Sequence, residues 1–108
     1  MSRIHIEEPS EPVRALLEHV VGRMGHELTG RGDDPLECDL LILEASSSSG
    51  LLVATRLRAA QPDLPIICIS SEQLSSAVRE LGPIAHFVKP FAIAEIEEAV
   101  TNALLFRG

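Results

Sequence analysis

Residues 37–70 read ECDLLILEASSSSGLLVATRLRAAQPDLPIICIS, and they decide the fold. Residues 38–43 are an apolar run too short for a helix, and the run ends on Glu44. It has no polar alternation, the pattern of a strand covered on both faces. Ala45, four serines and Gly50 follow and read as a solvated loop. Leu51, Ala54, Leu57 and Arg58 then fall at helical spacing, which predicts a short helix over 51–60 with Pro62 marking its exit. Pro65 introduces residues 66–69, a second buried strand rich in β-branched side chains, and it ends on Ser70.

The same alternation continues outward in both directions. On the N-terminal side, 4–6 is a short apolar strand closed by Glu7 and Glu8. Ser10 is placed to cap a helix, with Glu11 and Pro12 suited to its first turn. Val13, Leu16, Leu17, Val20, Val21 and Met24 repeat at i, i+3, i+4, i+7, i+8 and i+11, an amphipathic helix that Gly25 stops. Residues 26–29 read as a short strand and 30–37, GRGDDPLE, as a loop.

On the C-terminal side, Leu74, Ala77, Val78 and Leu81 share one face of a helix predicted over 71–81, broken by Gly82-Pro83. Residues 84–88 form a last apolar strand that delivers Lys89-Pro90. A final helix over 92–105 buries Ile93, Ile96, Val100, Ala103 and Leu104. It carries Glu95, Glu97 and Glu98 in its N-terminal half, where the helix dipole favours acids. Strands alternating with helices demand an α/β domain with a parallel sheet.

Composition narrows the function classes. The chain has 108 residues, enough for a single domain spanning 1–108 and too few for a second core. No apolar run approaches the roughly 18 residues of a membrane span. The N-terminus MSRIHIEEPSEP has neither the basic end nor the apolar stretch of a secretory signal. Sixteen acids against nine bases give a net charge of -7, which argues against nucleic acid as a partner. Cys38 and Cys68 lie in apolar runs and read as buried free thiols. His5, His19, His26 and His86 have no spacing that suggests a shared metal. These features together describe a soluble domain expected in the cytoplasm.

In an open parallel sheet, function sits beyond the carboxyl ends of the strands. The residues delivered there are Glu7, Glu8, Glu44, Ser70 and Lys89-Pro90; Lys89 is the single lysine of the chain.

Across nearly its full length the sequence resembles the receiver domain of two-component response regulators. RIHIEEPSEPVRALLEHVVGRMGHEL is similar to that family's first strand, acidic corner and first helix. ECDLLILEASSSSGLLVATRLRAAQPDLPIICIS is similar to its third strand, third helix and fourth strand. AHFVKPF is similar to its fifth strand with the Lys-Pro motif. The resemblance implies a flavodoxin-like, five-stranded parallel sheet of order 2-1-3-4-5. Residues 30–38 are too few for the family's second helix, which is expected to be shortened or absent.

The resemblance also implies a site. Receivers hold Mg2+ on an acidic pair, phosphorylate an Asp at the end of the third strand, and use a Ser or Thr and a Lys before a cis proline to read the phosphoryl group. Here Ser70 takes the switch-hydroxyl position, and Lys89 and Pro90 take the lysine and cis-proline positions. His86 stands at the switch-aromatic position, and Glu44 stands where the family has its phospho-accepting Asp. An ungapped register puts Glu8 on the first acid and Pro9 on the second, whereas a shift of one residue restores Glu7 and Glu8 as the pair. Mg2+ binding is therefore expected to be weak or absent, and no other cofactor is implied.

Glu44 is one methylene longer than Asp, and an ion pair with Lys89 is expected. The implied function is a stand-alone, phosphorylation-independent pseudo-receiver, without enzymatic activity, acting through protein contacts. The family's contact face maps to 71–81, 84–88 and 92–105, with a histidine kinase, another regulator or a second copy as partner. An active receiver using Glu44 with Mg2+, or an unrelated small α/β regulator of anti-sigma-antagonist type, stays open at this level.

Overall fold

A computed structural model describes residues 2–29 and 37–107. Among these described residues there are five strands and four helices: β1 (Arg3–Glu7), α1 (Glu11–Arg23), β2 (Glu27–Leu28), β3 (Leu40–Glu44), α2 (Ser48–Ala60), β4 (Ile66–Ser70), α3 (Ser76–Glu80), β5 (Ala85–Val88) and α4 (Ile93–Arg107). The strands form one sheet of order β2-β1-β3-β4-β5, and every pairing is parallel. This is the flavodoxin-like order implied by the sequence. The loop reading of 30–37 and the shortened second helix fall almost wholly on residues outside those described.

β3 and β4 are buried at every position, which is why neither alternates in sequence. Their side chains feed two cores. Leu40 and Ile42 of β3 and Ile67 and Ile69 of β4 pack with Leu17 and Val21 of α1 and Ile96 and Val100 of α4. Leu41, Leu43, Ile66 and Cys68 point the other way, toward Ala54 and Leu57 of α2 and Val78 of α3. Both cysteines are buried, as the apolar runs around them imply, and they are not joined to each other in a disulfide.

The helix ends differ from the sequence expectation in instructive ways. α2 starts at Ser48, three residues before the expected start, because Ser47 caps it: the Ser47 Oγ accepts the Gly50 N–H at 3.0 Å. The serine run is thus a helix start rather than a loop. Gly50 has a packing reason. A Cβ there would meet Leu43 Cδ1 at 2.9 Å and the Ser47 side chain at 3.2 Å, so any larger residue requires those side chains to shift.

α3 spans only Ser76–Glu80, not 71–81. Ser75 takes the cap, its Oγ accepting the Val78 N–H at 3.3 Å, and the Ser70 hydroxyl bonds the Glu72 carbonyl, which holds the intervening chain in a non-helical path. Ser10 does precede α1 in extended geometry, but its side chain makes no capping bond. Gly25, at φ +87°, turns the chain out of α1 in a conformation that suits glycine. In α4 the buried stripe is Ile96, Val100 and Ala103; Ile93 is exposed, and Phe91 packs against that core instead.

Candidate functional site

The carboxyl ends of β1, β3, β4 and β5 bring Glu8, Glu44, Ser70 and Lys89 to one edge of the sheet. Three of these are polar side chains buried where apolar ones dominate: Glu8 at 5%, Glu44 at 4% and Ser70 at 2% exposure. Burial of this kind requires a specific partner for each group.

Glu8 finds two. The Lys89 ammonium sits 2.9 Å from its Oε1 as an ion pair without an aligned hydrogen bond, and Oε2 accepts the Ser10 N–H at 3.1 Å. Lys89 is positioned by its own backbone, whose N–H donates to the Ser70 carbonyl at 2.8 Å and extends the β4–β5 ladder by one step. The Lys89-Pro90 peptide bond that follows is cis.

Glu44 does not pair with Lys89, contrary to the sequence expectation. Its carboxylate folds back on its own chain: Oε1 and Oε2 accept the Ser46 N–H at 3.3 and 3.2 Å, and Oε2 accepts the Ser46 hydroxyl. This is a local closure from a side chain to the residue two positions on, of the kind carboxylates make at turns. With Glu44 satisfied locally, Glu8 takes the lysine. The Glu44 charge is still felt nearby, since burial, reinforced by that charge, pushes the Cys68 thiol up to about 11.

Ser70 connects the site to the edge strand. Its hydroxyl donates to the Glu72 carbonyl, so its oxygen accepts from His86 Nε2 at 2.7 Å, which places the imidazole proton on Nε2. His86 thus holds the hydroxyl while lying exposed on β5. Beside these groups lies a cavity of about 270 Å³ lined by Ser46, Ser70, Gln73 and Ser75 among others.

Glu7 does not join this edge. It pairs with His5, Oε1 to Nε2 at 2.7 Å, and His5 Nδ1 meets the Thr29 hydroxyl at the end of β2. Residues i and i+2 on a strand share a face, so Glu7 follows His5, and Glu8 alone turns toward Lys89. The one-residue shift that would pair Glu7 with Glu8 is therefore not the arrangement found.

The two residues sequence reasoning missed are Ser46 and Thr29. The signal for Ser46 was a carboxylate followed two residues later by a hydroxyl and a backbone N–H. For Thr29 there was none, because its contact joins two strands.

The donor set does not fit a divalent cation. Pro9 supplies no carboxylate, Glu8 Oε1 faces an ammonium, and Glu44 is committed to Ser46. Among the described residues, no group of three His, Cys, Asp or Glu is arranged to hold a metal.

The fold and this edge together define the class: the chain has the fold of response-regulator receiver domains. It is similar to the chemotaxis protein CheY4 of Vibrio cholerae, at 18% identity and a TM-score of 0.77, over 95% of this chain and 98% of that one. It is also similar to a CheY-like receiver domain protein of Methanospirillum hungatei, at 15% identity and a TM-score of 0.82, over 99% and 96% of the two chains. A third such structure is the receiver domain of a modulated diguanylate cyclase from Desulfovibrio desulfuricans, at 20% identity and a TM-score of 0.77, over 99% and 96%. A comparison with protein-family models finds no match, and no curated protein matches. Among the described residues, no helix is long and apolar enough to cross a membrane.

Proposed function

We propose that this chain is a receiver-type signalling module of a two-component or phosphorelay pathway that works without aspartyl phosphorylation, through contacts with another protein. The observation that carries this reading is the Glu8–Lys89 pair at 2.9 Å. Phosphoryl transfer to a carboxylate depends on cations that neutralise the incoming charge. Here the lysine already neutralises a buried carboxylate. The residue at the acceptor position is a Glu whose two oxygens are held by Ser46.

The face made by α3, β5 and α4 supports the protein-contact half of the reading. It exposes Val88 at 52% and Ile93 at 41%, with Glu72, Glu95 and Glu98 nearby in sequence and also exposed. Exposed apolar groups among acids suit a protein partner, a kinase or a regulator, rather than a nucleic acid.

A Mg2+ titration followed by NMR tests the proposal. The expected result is weak, non-saturating shifts without a focus at Glu8. Saturable binding that Glu8→Gln removes would favour an active phospho-acceptor and overturn the reading.

A further inference from the structure

Arg58 lies in the last turn of α2, far from the lysine site. Its Nε–H donates to the Leu81 carbonyl at 2.9 Å, and Nη1 donates to the Pro62 and Leu64 carbonyls at 2.7 Å each. One guanidinium thus ties together the α2 exit, the start of β4 and the end of α3. These acceptors are neutral. Among the described residues, Nη2 makes no hydrogen bond, and no carboxylate stands at ion-pair distance from Arg58. A half-buried cation is left with the two Nη2 donors unused and no carboxylate in ion-pair contact among the described residues.

Arg58 lines a cavity of about 470 Å³ at the amino ends of β4 and β5, the opposite end of the sheet from Glu8 and Lys89. Its apolar wall includes Pro62, Leu64 and Ile84, and its polar lining includes Asn102 and Asp63. That volume, within the roughly 300–1,000 Å³ of small-molecule sites, and an apolar wall with few polar groups are what such sites share.

We propose that this cavity binds a small organic monocarboxylate with an apolar body. The carboxylate takes Arg58 Nη2, with the Asn102 amide as a second donor. The apolar body covers Pro62, Leu64 and Ile84. An anion beside a guanidinium forms the strong, charge-assisted class of hydrogen bond. A single carboxylate matches the one guanidinium nitrogen of Arg58 left without an acceptor among the described residues.

The test is an NMR titration of the full chain with benzoate and, as an uncharged counterpart with the same ring, benzyl alcohol. Benzoate is expected to saturate shifts confined to amides around residues 58, 63–65, 82–84 and 102. Benzyl alcohol is expected to bind about tenfold more weakly or worse, the loss of a charged hydrogen-bond partner. Ile84→Asp, at a position 55% exposed, is expected to abolish benzoate binding while leaving the rest of the spectrum in place. Asn102→Ala, on the exposed side of α4, is expected to weaken it. Absence of saturable shifts, equal affinity for the alcohol, or undiminished benzoate binding in Ile84→Asp would each overturn the proposal.

Discussion

Replacing Lys89 with Met isolates the ion pair at the centre of the site. Met keeps most of the side-chain volume and removes the charge. Glu8, whose side chain is 2% exposed, is left with Oε1 facing no cation and only the Ser10 N–H on Oε2. Removing one partner of a fully buried pair costs about 3–5 kcal/mol. The Lys89 side chain is 24% exposed, so solvent screens part of the interaction, and about 2–3 kcal/mol is the expected loss.

In a chain of 108 residues this lowers the melting temperature by about 8–15 °C. The chain has no Trp or Tyr, so urea unfolding is followed by far-UV circular dichroism rather than intrinsic fluorescence. The double variant Glu8→Gln/Lys89→Met removes the orphaned charge together with its partner, and it is expected to recover at least about 1 kcal/mol relative to the sum of the two single variants. A loss below about 0.5 kcal/mol for Lys89→Met, or strict additivity in the double variant, would refute the claim that the two groups hold each other.

Other parts of the structure make their own predictions. Gly50→Ala places a methyl 2.9 Å from Leu43 Cδ1 in a filled core, and the overpacking is expected to exceed the helix-propensity gain, for a net loss of about 1 kcal/mol in the same urea assay. Ser47→Ala removes the α2 cap and is expected to cost about 1 kcal/mol, with Ser47→Asp restoring most of it. Cys68 holds its proton up to about pH 11 in the folded chain, whereas an unfolded thiol releases it near 9.0. The folded state therefore binds more protons between these values, and stability falls as pH rises through that window, by up to about 1 kcal/mol per pH unit. Cys68→Ala is expected to flatten that alkaline decline.

The parts of the fold legible in sequence are those where one signal dominates. Unbroken apolar runs ending in Glu44 and Ser70 mark β3 and β4, because strands covered on both faces admit no polar alternation. Lys89-Pro90 follows the last strand at the carboxyl edge of the sheet, where the sequence places it. Serines carried the opposite difficulty: Ser47 and Ser75 cap helices, Ser46 holds Glu44 and Ser70 joins His86 to a carbonyl, four roles for one residue type. Sequence alone does not distinguish a cap from a loop when both favour hydroxyls.

Partner choice was hidden for a related reason. Glu44 and Glu8 both lie at the carboxyl edge of the sheet that carries Lys89, and the outcome turned on a local closure of Glu44 onto Ser46. The Arg58 staple was equally silent, since its carbonyl acceptors come from the chain around 62–64 and from Leu81.

Intact-mass measurement after incubation with acetyl phosphate and Mg2+ tests the central claim most directly. The account predicts an unchanged mass. A stoichiometric gain of one phosphoryl group, lost in Glu44→Ala, would contradict it.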